Sequence, residues 1–415
     1  MTATPTPLTE PVGGVPPVLT SAAEFSDAAA LLAAGAGPVA VDTERASGYR
    51  YSQRAYLIQL KRAGAGSFLL DPTVEPDALA PVIEALTGPE WVLHAADQDL
   101  PCLREAGFTC TALFDTELAG RLLGRPKVNL ATMVEEFLGL GLSKGHGAAD
   151  WSRRPLPHDW LVYAALDVEV LVELRDATAA ALAEAGKDDW AREEFAAVLA
   201  RPAPAARVDR WRRTAGIHTV KSARGLAAVR ELWLTREEVA ERRDIAPGRI
   251  LPDSAIITAA SADPPTVKDL TRLPVFGGPR QSRNARTWFD ALERARALPA
   301  AELPPRKAPA TGLPPYNRWD RTNPEGAERA AAVRPVIGAL AEDNTLPPEN
   351  LLAPDLVRTL CWEGVELPAT PEAVAARLAA GGARSWQRAL VSEAIADALN
   401  SAEEPADERA GSPSP

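Results

Sequence analysis

Asp42 and Glu44 stand two residues apart at the end of the apolar run Val39 to Val41. In an extended strand, residues i and i+2 project from one face, so this spacing sets two carboxylates side by side. Adjacent like charges repel unless a cation lies between them, and hard divalent ions such as Mg2+ and Mn2+ favour such oxygen ligands. Asp99 follows the apolar segment 91–94 and falls in the first turn of a helix expected over 97–106, with Asp97 as its N-cap. Asp167 lies four residues beyond Tyr163 in a helical stretch expected from Asp159 to Leu174, which stacks phenol and carboxylate on one helix face. Singly, each feature is explained as well by a solvated strand end or an amphipathic helix. The combination of strand DxE, a later Asp and a helical YxxxD is specific.

The elements that position these groups alternate. Residues 39–42, 55–60, 67–71 and 91–94 read as strands, with Gly48, Gly64 and Gly66 at turns, and residues 76–86 and 97–106 read as helices. Strands interleaved with helices imply an α/β domain built on a mixed sheet flanked by helices. Beyond Glu173 the periodicity is helical only, with helix running on to about Ala200. The expected organisation is a disordered leader (1–20), a catalytic domain (21–200), a linker (201–213), a helical domain (214–300), a Pro-rich linker (301–325), a second helical domain (326–400) and a disordered acidic tail (401–415).

The net charge of −11 over 415 residues is unevenly spread. Residues 201–300 carry 19 basic against 11 acidic side chains, and the flanking regions are both acidic. A segmental basic surface can contact phosphates; a solvated Arg-rich helix face explains the charge as well. Arg207, Arg210, Arg212, Arg213, Lys221 and Arg224 crowd its start. Three cysteines and four scattered histidines offer neither a disulfide framework nor a zinc motif. No apolar run is long enough to span a bilayer, and the N-terminus lacks the pattern of a signal peptide, so a cytoplasmic protein with no membrane partner is expected. The absence of a GxxxxGK[ST] motif argues against a helicase and against a nucleotide cofactor.

The three acidic motifs resemble those of the DEDD 3′–5′ exonucleases, tyrosine subclass, and most closely the ribonuclease D family. Residues 55–60, 114–119 and 150–156 resemble the stretches around those motifs. Arg224 to Leu298, including residues 250–253, is similar to an HRDC domain, and Pro347 to Leu399 to a second, more divergent copy. The resemblance covers residues 25–200 closely. It implies an α/β RNase H-like exonuclease domain followed by two all-α HRDC-like domains. It also implies that Asp42, Glu44, Asp99 and Asp167 hold two divalent cations, Mg2+ or Mn2+. Water then attacks the last phosphodiester and releases 5′-mononucleotides, with Tyr163 orienting that water, since a phenol of pKa near 10 is a poor base. The implied substrate is RNA at its 3′ end, with tRNA precursors foremost. A DNA exonuclease of the same superfamily, or a non-catalytic nucleic-acid-binding protein, are the alternatives.

Thr43, His94, Lys144, Arg153 and Arg154 flank the motifs and are the candidate substrate contacts. A satisfied, half-buried ring is the plainer reading of His94, and solvated loop charge serves equally for the three cations. Two departures from the family pattern stand out. Arg45 occupies a position where the family usually carries an aromatic residue, and is expected to point away from Asp42 and Glu44. Residues 143–147 are Gly-rich.

Overall fold

The computed structural model describes residues 4–142, 145–203, 207–307 and 312–403. The catalytic domain contains β1 (Thr6–Leu8), β2 (Val18–Leu19), β3 (Ala36–Arg45), β4 (Ala55–Ala63), β5 (Gly66–Leu70), β6 (Trp91–Leu93), β7 (Leu113–Asp115) and β8 (Leu140–Leu142). Its helices are α1 (Ala22–Ala34), α2 (Ala80–Ala85), α3 (Leu100–Glu105), α4 (Thr116–Leu122), α5 (Leu130–Leu138), α6 (His158–Glu169), α7 (Leu171–Glu184) and α8 (Asp188–Ala200). Six strands form one mixed sheet in the order β2-β5-β4-β3-β6-β7, antiparallel about β4 and parallel elsewhere.

The central strand β3 is buried on both faces, as its apolar run dictates. Val39 and Val41 pack into the core shared with Phe25 and Leu32 of α1. Ala40 faces the other way, against Val168 of α6 and Leu171 of α7. The strand's period of two therefore sends residues 40, 42 and 44 toward α6 and α7, and residues 39, 41 and 43 toward α1–α3.

Several expectations are corrected here. The segment expected as a disordered leader carries β1 and β2, which pair with β8 and β5. Their backbone groups complete two sheet edges, an order that composition does not reveal. The single helix expected over 159–174 is two, α6 and α7, because Val170 departs from regular helix at φ −102° and ψ −7°. The stretch to Ala200 breaks again at Gly186, which has φ +66°. Helix α3 begins at Leu100, so Asp99 occupies the N-cap position without capping, and Asp97 is exposed.

The helical region begins inside the expected linker, where Trp211 is buried within the core of α9 (Ala223–Arg243), α10 (Pro247–Ile250), α11 (Asp253–Ala262), α12 (Val267–Thr271), α13 (Pro279–Arg283) and α14 (Ala285–Ala297). The second Pro-rich stretch is also not all linker. It contains α15 (Trp319–Thr322), and Trp319 is fully buried against the last unit, a contact whose truncation costs about 3–5 kcal/mol in cores of this kind. That unit continues through α16 (Pro324–Asp343), α17 (Pro348–Leu351), α18 (Pro354–Glu363), α19 (Pro371–Ala380) and α20 (Ser385–Glu403). The expected tail starts within α20, and its remainder lies outside the described residues.

Both helical units dock on the catalytic domain through polar and aromatic contacts. Lys187 Nζ donates to Leu122 O at 2.7 Å and to Asn344 O at 2.6 Å, and Trp190 stacks on Trp386. On the other side, Ala246 N donates to Tyr49 O, and Arg249 Nε to Gly48 O with its guanidinium over the Tyr49 ring. No described helix is long and apolar enough to cross a membrane.

Candidate active site

Three of the four carboxylates converge. Oxygen atoms of Asp42, Glu44 and Asp167 all lie within 4.8 Å of one another, where the end of β3 meets α6. The register explains the first pair: Asp42 stands opposite Gln59 and Glu44 opposite Leu57 on β4, so both acids face the helix layer. Helix α6 crosses that face and presents Tyr163 and Asp167 one turn apart, the phenol within hydrogen-bonding reach of the carboxylate.

Asp99 stands beside this trio and is not one of the three. Its Oδ1 accepts a hydrogen bond from Thr43 Oγ1 at 2.7 Å. Thr43 lies on the opposite face of β3 from Asp42, buried against α3, so its hydroxyl orients Asp99. That is a different job from the substrate contact expected of it. The turn leading to Asp99 is fixed by Asp115, which accepts from Ala95 N at 3.0 Å and Ala96 N at 2.8 Å while capping α4. Ala95 is held at φ +63°, an unfavourable conformation for a residue with a Cβ.

The electrostatics of the group are those of crowded acids. Burial, then the Asp99, Asp167 and Glu44 charges, push Asp42 well above the usual carboxylate range. Burial, then Asp167 and Asp99, push Glu44 up to about 9. Asp167 is raised by burial to about 7, against the Tyr163 hydrogen bond, and Asp99 by burial to about 6, against the Thr43 hydrogen bond. Burial and the Asp167 charge also raise Tyr163, so the phenol keeps its proton at neutral pH. Oxygen-only donors, mutually repelling and clustered at one point, fit a hard divalent cation.

The other expected contacts divide. His94 lines a cavity of about 300 Å3 together with Asp42, Asn129, Tyr163 and Asp167. Its Nδ1 is 2.8 Å from Thr116 Oγ1 and the ring also bonds the Val128 backbone, while burial lowers its pKa to about 4. It is a neutral wall residue whose Nδ1 is engaged by Thr116. Arg154 does not reach toward substrate: its guanidinium bonds Asp71 Oδ2 at 2.5 Å, Tyr56 O at 2.8 Å and Trp151 O at 2.7 Å, fastening the 150–156 loop to the sheet. Arg153 is exposed beside it. Lys144 lies outside the described residues.

Sequence reasoning missed three features. Asn129 caps α5 and lines the cavity, though an Asn before an apolar helix was a visible cap signal. The pairing of β3 with β4 shifts register between Glu44 and Arg45, with Tyr56 as the extra residue on β4. Arg45 bears on the site through its charge, which lowers the pKa of Glu44 and Asp99. Gly145 lies flat on the Tyr163 ring: a Cβ there would sit 1.6 Å from Cε2.

Comparison with known proteins agrees with this arrangement. Residues 17–182 match the family model described as 3'-5' exonuclease, and residues 225–292 match the HRDC domain. Residues 312–399, which the sequence reading took to include a second HRDC-like copy, match a separate model described as 3' to 5' exonuclease C-terminal domain. Fold and site thus define a 3′–5′ exonuclease with a helical HRDC region behind it. A curated ribonuclease D of Acidiphilium cryptum is 31% identical over 334 residues, 79% of this chain and 84% of the relative. A crystal structure of a protein from Bifidobacterium adolescentis superposes with a TM-score of 0.86 at 37% identity, covering 95% of this chain and 99% of that one. Escherichia coli RNase D, at 24% identity and a TM-score of 0.61 over 93% of this chain and 98% of its own, shares the fold. The chain belongs to the ribonuclease D family.

Proposed function

We propose that this enzyme hydrolyses RNA from the 3′ end to 5′-mononucleotides, with two divalent cations, Mg2+ or Mn2+, shared among Asp42, Glu44, Asp99 and Asp167. The observation that carries the reading is the convergence of Asp42, Glu44 and Asp167 oxygens within 4.8 Å beside Tyr163. Bound cations would neutralise the phosphodiester and acidify water at the scissile phosphorus. The chain's own groups do the rest. Asp42 and Glu44 are fixed by β3, Asp167 by α6, and Asp99 by its bond to Thr43. Tyr163 retains its proton, so its Oη–H orients the attacking water and does not act as the base. His94, neutral and held by Thr116, closes one wall without adding charge.

RNA as substrate follows from the family's curated members, which carry the name ribonuclease D. Precursors of tRNA with 3′ extensions are the proposed natural substrates, and the cytoplasm the proposed location. The test is digestion of a 3′-extended tRNA and of matched RNA and DNA oligonucleotides, with and without Mg2+ or Mn2+. Release of 5′-mononucleotides from the RNA 3′ end, dependent on the cation, is expected. Equal or faster cleavage of DNA would overturn the RNA assignment.

A further inference from the structure

The structure contains a second place suited to nucleic acid, away from the carboxylates. A cavity of about 670 Å3 opens between the 3-10 turn Ile217–Thr219, the start of α9 and the irregular chain at Arg306 and Lys307. Arg212, His218, Lys221, Arg306 and Lys307 line its walls and Ile217, Val220 and Leu226 its floor, and among the described residues no acidic side chain lines it. Two of the cations are fixed in place. Arg212 stacks on the Trp211 ring at 4.3 Å and donates to Asp209 Oδ2 and to Pro305 O, so its guanidinium is preorganised and ties the two walls together. Lys221 Nζ donates to His218 O at 2.7 Å, which uses one of its three protons and leaves its charge unneutralised. Among the described residues, Lys221, Arg306 and Lys307 form no ion pair with an acid.

Like charges gathered around one hollow repel each other, and their arrangement is stabilised by an anion within it. The apolar floor adds a surface for the flat or hydrocarbon part of that anion. We propose that this cavity binds a phosphate and the adjoining nucleoside of an RNA strand whose 3′ end occupies the active site. The proposal rests on the RNA reading above and goes beyond it by fixing the path of the strand. Helix α9 sets the scale. Its first turn borders the cavity, and its C-cap, Asp244, holds the loop that follows Glu44. Twenty-one residues of helix span about 31 Å. At a rise of about 3.4 Å per stacked nucleotide, a strand needs roughly nine nucleotides to bridge that length. A trinucleotide engages the active site alone; a long strand engages both.

The test compares the wild type with the double variant Lys221→Gln/Arg306→Gln and with a control double variant, Lys268→Gln/Arg272→Gln, on α12 of the same domain. Binding of a 20-nucleotide RNA is measured with EDTA present, across a salt series, alongside cation-dependent hydrolysis of a trinucleotide. The cavity variant is expected to bind the 20-mer about five- to tenfold more weakly near 0.1 M salt. The slope of log affinity against log salt should be shallower by about 1.4, two single-strand phosphate contacts at about 0.7 each. Its trinucleotide hydrolysis should be unchanged, and the control variant should bind normally. Unchanged 20-mer binding by the cavity variant, or an equal loss in the control, overturns the proposal. Failure of the wild type to hydrolyse the trinucleotide would instead count against the RNA reading itself.

Discussion

Asp244, the C-cap of α9, accepts a hydrogen bond from Tyr56 Oη on β4 at 3.1 Å, joining groups 188 residues apart. Its other carboxylate oxygen accepts from Tyr51 N at 3.1 Å and Ser52 N at 2.9 Å, and Arg54 lies 3.8 Å away. The loop pinned in this way is the one that leaves β3 directly after Glu44 and Arg45. On its far side Arg50 Nε donates to Ser152 Oγ. The chain after the catalytic strand is thus clamped between the HRDC domain and the 150–156 loop.

Replacing Asp244 with Ala removes these acceptors and leaves two backbone N–H groups to find water. It also places an alanine at φ +45°, where aspartate is better tolerated. A loss of about 2–3 kcal/mol in denaturant unfolding is expected, on the scale of charge-assisted hydrogen bonds. Asp244→Asn, which retains one acceptor oxygen, should lose less. A change below about 0.5 kcal/mol in the alanine variant, typical of indifferent surface positions, would show that the clamp contributes nothing.

Asp42→Asn removes one charge from the converging trio while preserving its shape. Hydrolysis should fall by at least about a thousandfold, because several kcal/mol of charge stabilisation depends on that oxygen set. RNA affinity without divalent cation should hold, since burial and the neighbouring acids already favour the neutral form of Asp42 there. Both quantities come from one titration and one time course; near-normal turnover would refute the ligand role of Asp42.

The carboxylates were legible because chemistry imposes their spacing: DxE needs a strand, YxxxD a helix, and both periods are visible locally. The α/β class was legible for the same reason, through alternating apolar runs. The partners that hold the acids were not. Thr43 looked like a substrate contact because it sits between Asp42 and Glu44, yet the pleat turns it to Asp99. Arg154 looked like a free cation because its acceptors, Asp71 and Tyr56, are distant in sequence. The register shift that leaves Tyr56 as an extra residue on β4 leaves no trace in composition. Strands β1, β7 and β8 lack the unbroken three-residue apolar run that marks the equally short β6.

Gly145 offers a sharper test of Tyr163. A single methyl at that position would sit 1.6 Å from the ring's Cε2 and 2.2 Å from Cδ2, far inside contact distance. Either the loop or the phenol must move in Gly145→Ala. A displacement of about 1 Å in a water-orienting group is expected to lower kcat by roughly a hundredfold. Mn2+ affinity, measured by calorimetry, should change little, because Asp42, Glu44 and Asp167 are held by other elements. Normal kcat in a variant whose crystal structure shows the Tyr163 ring displaced would mean that Tyr163 has no positioning role.

The raised carboxylate pKa values make a prediction about stability, and its sign follows from proton counting. Asp99 at about 6, Asp167 at about 7 and Glu44 at about 9 bind protons in the folded chain where the unfolded chain has already lost them near pH 4. Folding therefore takes up protons between about pH 4 and 9, and stability falls as pH rises through that window. The deprotonated acidic cluster therefore opposes folding at pH 8. A divalent cation bound only by the folded, deprotonated site removes that opposition by mass action. The Tm of cation-stripped protein should drop from pH 5.5 to pH 8, and Mg2+ or Mn2+ should raise it more at pH 8 than at pH 5.5. Asp42→Asn should flatten both dependences. A cation effect that is equal at the two pH values would mean that ions bind elsewhere than at these acids.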